Sequence, residues 1–279
     1  MNMPNKLVPE DYLEPNCPLD CNPDGADPKI EPIPLQRIID KLDTYMSRRD
    51  YAGAERHLLY WLGEAERGND SRGRLTICNE LIGHYRKTGQ QDNAFLYADQ
   101  ALQLLHDLGY EGTITSGTTY VNVATAYTAF GRLEHALILF EKARSVYESS
   151  SFTSLHLLGG LYNNMALVYK NLNRYPEAHQ FFDKAMKTMG EVAGGALEQA
   201  ITCLNIADTV AAEVGMEQGE TRIFQLLDQA YDLLHDESVP HDGYYAFVCE
   251  KCAPSFSYYG YFLAASELQD EVKNIYERA

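Results

Sequence analysis

Two pairs of cysteines offer the plainest chemistry in the 279-residue chain: Cys249-Glu-Lys-Cys252 near one end, and Cys17 with Cys21 near the other. Four thiolates at such spacings can hold zinc. The simpler reading treats Cys249 and Cys252 as small hydrophobes at apolar positions of a helix, because a zinc site would have to join the first residues to the last. Eight histidines (His57, His84, His106, His135, His156, His179, His235, His241) include no pair at the i, i+4 ligand spacing. No glycine-rich phosphate loop or nucleophile elbow is present. The stretch Asn22 to Asp27 has the carboxylates of a calcium loop without its spacing or its distal glutamate. The expectation is a chain with no catalytic residues, no metal and no cofactor, and hence no enzyme.

The elements that position these residues follow from composition. Lysine and arginine total 23 against 40 acids, a formal net charge of -17. Such a surface repels phosphate backbones and anionic lipid heads, which argues against nucleic acid and membrane surfaces as partners. No stretch approaches the apolar length of a membrane span or a secretory leader, and the scattered cysteines suit a reducing compartment, so the cytoplasm is the expected setting. Eight of the 11 prolines fall within residues 1–34, with seven acids and two lysines. That stretch cannot be helical and is read as an extended or disordered acidic leader.

From Leu35 onward apolar residues recur at helical spacing and strand-like alternation is missing, so the body is all-α. Turn signals punctuate it at Arg48-Arg-Asp-Tyr, Lys87-Thr-Gly-Gln and Phe130-Gly-Arg. Aligning residues 120–143 with 162–185 gives an ungapped repeat offset by 42 residues. It pairs Asn122 with Asn164, Ala124 with Ala166, Tyr127 with Tyr169, Ala136 with Ala178, Phe140 with Phe182 and Ala143 with Ala185. Small residues at fixed places let two antiparallel helices approach closely while aromatics fill the gaps between pairs. Gly131 supplies a left-handed turn residue, and Gly159-Gly160 and Gly194-Gly195 are read as turns between repeats. The register extends to units near 35–70, 75–110, 117–152, 159–195, 200–238 and 243–279, the fifth with a long turn at residues 214–220 and the sixth atypical. A hairpin with an apolar face on each side must stack.

The series Tyr-x-x-hydrophobic-Ala-x-x-Tyr-x-x-x-Gly-x-x-x-x-Ala-x-x-x-Phe-x-x-Ala resembles the tetratricopeptide repeat, in the long variety found in kinesin light chains and many bacterial proteins. The resemblance implies a right-handed superhelix, an α-α solenoid of about six helix-turn-helix repeats over residues 35–279. It also implies a concave groove, lined by the first helix of each unit, that binds an extended peptide or partner protein. Carried over place by place, the groove includes Asn79, Arg86 and Lys87 in the second unit and Thr125 in the third. In the fourth it includes Asn163 and Lys170. Asn122, Asn164 and Asn205 recur at one place of the repeat, where they either bond a peptide backbone or brace neighbouring helices; both readings stand.

Cations in the lining of so acidic a chain favour an acidic or carboxylate-bearing peptide. The resulting expectation is a non-catalytic protein-binding scaffold, the alternative being a peptide-sensing or response-regulator-binding module of a bacterial regulatory system. The acidic leader is long enough to lie in the groove and block it, or it is simply a tail. Self-association, like the identity of the partner, stays open at this level.

Overall fold

In the computed structural model, residues 30–278 are described, and the chain divides into two compact units, residues 1–109 and 110–279. The first 29 residues, with Cys17, Cys21 and the proposed blocking segment, lie outside the described residues. All regular structure among the described residues is helical.

The first unit contains α1 (Leu35–Ser47), α2 (Tyr51–Arg67), α3 (Ser71–Lys87) and α4 (Gln91–Asp107). Ile38 and Leu42 of α1, Ala54, Leu58 and Trp61 of α2, Leu81, Ile82 and Tyr85 of α3, and Ala94, Ala98 and Ala101 of α4 form its core. Asp50 and Asp70 cap α2 and α3, each carboxylate accepting a backbone N–H three residues on, from Gly53 and Gly73, at 2.8 Å. Such caps satisfy an N–H that the first turn of a helix leaves without a partner. Asp70 also accepts the backbone N–H of Ile33 at 3.0 Å, and Glu31 N–H donates to the Gly68 carbonyl at 2.8 Å. The last residues of the proline-rich stretch are therefore bound to the helices, with Ile33 itself buried.

The second unit contains α5 (Ile114–Ala129), α6 (Leu133–Ser149), α7 (Leu155–Asn171), α8 (Tyr175–Gly190), α9 (Ala196–Val214), α10 (Met216–Leu234), α11 (Gly243–Tyr258) and α12 (Phe262–Arg278). Ala124, Ala136 and Ala143, with their counterparts Ala166, Ala178 and Ala185, are all fully enclosed, as are Phe140 and Phe182. Each alanine is a point where two helix backbones meet, and each buried phenylalanine contributes about 1.5–3 kcal/mol of apolar transfer. Within the unit α5 touches α7, α7 touches α9 and α9 touches α11, so the first helices stand side by side while each second helix packs on its own first helix.

One closure ends most of the first helices. Asp50 N–H donates to the Tyr45 carbonyl at 2.9 Å, Gln90 to Tyr85 at 2.9 Å, Arg132 to Tyr127 at 2.8 Å, Arg174 to Tyr169 at 2.9 Å and Tyr261 to Phe256 at 2.8 Å. These six-to-one bonds require a left-handed residue just before the donor, supplied by Arg49, Gly89, Gly131, Asn173 and Gly260 in turn. The repeated aromatic thus marks the residue whose carbonyl closes the helix.

Two details depart from the sequence pattern. Gly159 and Gly160 lie inside α7 rather than in a turn. A side chain at Gly159 would collide with Met189 of α8, so the glycine permits close approach of two helices. The fifth turn is not long: α9 and α10 each run to 19 residues, and Gly215 alone separates them. The four extra residues lengthened the helices, whose propensity signal does not mark where one stops and the next starts.

Candidate protein-binding face

The face in question is built on α5, α7 and α9. Thr113 and Ser154 cap the first two, accepting N–H groups from Ser116 and Leu157. On α7, Tyr162, Met165, Ala166 and Tyr169 are buried. The two tyrosines donate to glutamates of α6, Tyr162 to Glu148 at 3.0 Å and Tyr169 to Glu141 at 3.4 Å. Burial and these bonds raise both phenols above their ordinary range, Tyr162 to about 12, so both remain donors. Asn163, Asn164 and Lys170, at the intervening places, are half-buried.

Asn163 is engaged across helices. Its side-chain oxygen accepts from the Asn205 amide at 3.1 Å and from the Thr202 hydroxyl at 3.3 Å, joining α7 to α9. Thr202 also reaches the Glu198 carbonyl at 2.8 Å, and a hydroxyl has one proton, so the bond from Asn205 carries most of the link. On α5, Thr125 donates to the carbonyl of Asn122 at 2.8 Å and Thr128 to that of Ala124 at 2.8 Å. Thr125 therefore presents its methyl group more readily than its hydroxyl. Asn122 and Asn205 are half-buried, like Asn164.

In the first unit Asn79 donates to the Leu75 carbonyl at 2.9 Å, so part of its amide is committed to its own helix. Arg86 and Lys87 are exposed at the end of α3, where positive charge complements the helix dipole. The Lys87 ammonium also sits 5.5 Å from the centre of the Tyr51 ring.

Acids enter this row from α9 in bonds that residue spacing does not reveal. Tyr244 donates to Glu198 at 2.9 Å and Tyr259 to Asp208 at 2.7 Å, both from the α11 region. Burial raises both phenols well above their ordinary range, with the carboxylate contacts adding to it. The paired tyrosines at 244–245 and 258–259 were the available signal, obscured because the last repeat departs from the register.

Four of the six cysteines lie among the described residues. Cys78, Cys203, Cys249 and Cys252 are free and buried. Loss of solvent pushes the Cys249 thiol up to about 11 and that of Cys252 to about 12, so neither offers a ready thiolate. A different set of donors, His235, Glu267 and Glu271, does converge among the described residues. No described helix is long and apolar enough to cross a membrane.

The family model described as tetratricopeptide repeat matches residues 117–150 and 159–196, the α5–α6 and α7–α8 pairs. Two crystal structures of a putative kinesin light chain with nearly identical TPR-like repeats, from Podosopora anserina, are similar at 17% identity, covering 72% of this chain and 94% of theirs. Their TM-scores are 0.50 and, for a form carrying a single substitution, 0.51. BtubC from P. vanneervenii is similar at 16% identity over 88% of this chain and 91% of that one, with a TM-score of 0.47. No curated protein matches in sequence. The hairpins α5–α6 and α7–α8 are tetratricopeptide repeats, and the fold shared with the kinesin light chain structures is one of stacked helical hairpins.

Proposed function

We propose that the chain is a non-catalytic scaffold that captures an extended protein segment along its first-helix rows. The observation that carries this reading is the unbroken series α5, α7, α9, α11. On α7 the buried Tyr162 and Tyr169 turn toward the second helix α6, while Asn122, Asn164 and Lys170 along α5 and α7 remain half-exposed. A carboxamide presents a donor and an acceptor together, which is what an extended backbone requires. Lys170 supplies a cation for an acidic side chain or a terminal carboxylate. Thr125 offers an apolar contact. Asn163 and Asn205 set the spacing between α7 and α9 rather than meeting the ligand themselves. In the first unit Arg86 and Lys87 form a separate cationic contact at the end of α3, with Asn79 two turns earlier on the same helix. A cytoplasmic setting belongs to the proposal, and the four buried free thiols suit it.

Binding to an array of acidic, neutral and basic peptides tests it. The wild-type chain should prefer acidic peptides, and Lys170→Glu combined with Arg86→Glu should abolish the preference with the helical circular dichroism unchanged. Equal binding of acidic peptides by wild type and double variant would refute the role given to these cations.

A further inference from the structure

The end of α10 and one face of α12 bring together three side chains that no part of the scaffold reading uses. His235 follows the last residue of α10, and Glu267 and Glu271 stand one turn apart on α12. A ring nitrogen of the first and a carboxylate oxygen from each of the others lie within 4.8 Å of one another.

The histidine's orientation is determined by its partners. His235 Nδ1 lies 2.8 Å from the Tyr231 carbonyl, and a carbonyl only accepts, so Nδ1 carries the proton. Its ring also stacks on that of Tyr231, with centroids 4.0 Å apart. In the neutral ring Nε2 therefore holds a lone pair. That atom is closed to solvent and has no hydrogen-bond partner. Its neighbour is Glu267 Oε1 at 3.6 Å, beyond hydrogen-bond length.

A lone pair and two carboxylates facing one another repel unless a proton on the ring or a metal cation lies between them. At zinc–ligand distances of about 2.0–2.2 Å, neighbouring donors of a tetrahedral site lie about 3.4 Å apart. The 3.6 Å separation of Nε2 and Oε1 is close to that edge.

The outer contacts fit the same arrangement. Tyr231 donates its hydroxyl to Glu267 Oε2 at 2.8 Å, and Tyr245 donates to Glu271 Oε2. Each phenol holds one carboxylate oxygen and leaves the other for a ligand. A histidine bonded through its far nitrogen to a backbone carbonyl, with carboxylates oriented by hydroxyl donors, is the outer shell expected around a bound metal. Imidazole among the donors favours a first-row transition ion over calcium or magnesium, which prefer oxygen alone.

We propose that His235 Nε2, Glu267 and Glu271 bind one divalent transition ion, with zinc the ion their donor set suits, and that the ion ties the end of α10 to α12. Three protein ligands leave one position for water.

The test titrates the full chain, stripped with a chelator, with zinc alone in competition with a colorimetric chelator, and with cobalt(II) followed by its visible absorption. One equivalent should bind, and the cobalt form should lack the charge-transfer band of a thiolate ligand. Glu267→Gln with Glu271→Gln should abolish binding. Tyr231→Phe, which removes only the hydroxyl orienting Glu267, should weaken it about tenfold. His179→Gln, changing a histidine of α8 that faces Glu213 outside the donor set, should leave it unaltered. Unchanged zinc affinity in the double glutamine variant would overturn the assignment, as would a thiolate band or saturation only at millimolar zinc. Far-ultraviolet circular dichroism on each variant separates loss of ligands from loss of fold.

Discussion

If the amide of Asn205 holds α7 to α9 through Asn163, the two side chains must be energetically coupled. The bond is 3.1 Å long between half-buried groups, and the Thr202 hydroxyl that also reaches Asn163 is committed more closely to Glu198. The coupling is thus that of one neutral hydrogen bond, about 1 kcal/mol. Asn163→Ala and Asn205→Ala each lose that bond. The double variant should be about 1 kcal/mol more stable than the sum of the single losses predicts, or about fivefold in local opening. Native-state hydrogen exchange on the amides of α7 and α9 is the suitable assay, because it reads each helix separately within a chain of two units. Strictly additive losses would refute the brace and return Asn163 to the set of side chains able to contact a ligand. Acidic-peptide binding supplies a second readout: Asn163→Ala should reduce it far less than Lys170→Glu does.

Glycine substitutions give opposite signs within one unit. At Gly117 an added methyl would meet the enclosed ring of Tyr147, so Gly117→Ala should destabilise by about 1–3 kcal/mol. At Gly160 nothing lies within 4 Å, so Gly160→Ala should stabilise by about 0.5–1 kcal/mol through helix propensity alone. Thermal unfolding distinguishes the two, and equal shifts would contradict the packing described. Cys78, Cys203, Cys249 and Cys252, whose thiols burial pushes up to about 11 or 12, should resist alkylation at about pH 8 in the folded chain and react on unfolding. Peptide mapping by mass spectrometry follows each one individually.

The helical hairpins were legible because their packing needs particular sizes at particular places. Ala124, Ala136 and Phe140 return as Ala166, Ala178 and Phe182, and each pair occupies equivalent buried sites. The aromatic at the end of most first helices could be seen in the sequence, but its carbonyl's part in closing the turn could not, since any side chain has a carbonyl behind it. Gly159-Gly160 misleads for a related reason: glycine serves a turn and a close helix contact equally well. The contacts from Tyr244 and Tyr259 to α9 join residues far apart in sequence within an irregular repeat. His235, Glu267 and Glu271 escape motif reading because the histidine ends one helix and the two glutamates belong to a helix that is not its neighbour in the chain.

The lengths of α9 and α10 bear on how this molecule could be rebuilt. Hairpins α5–α6 and α7–α8 share their alanine and phenylalanine contacts, so a further copy inserted between them would meet surfaces it already matches. The pair on either side of Gly215 is longer and takes its α11 contacts through Tyr244 and Tyr259, which the others lack. A further copy thus matches the joint between α5–α6 and α7–α8 and does not match the joint between α9 and α11, so repeats can be added at the first and not at the second.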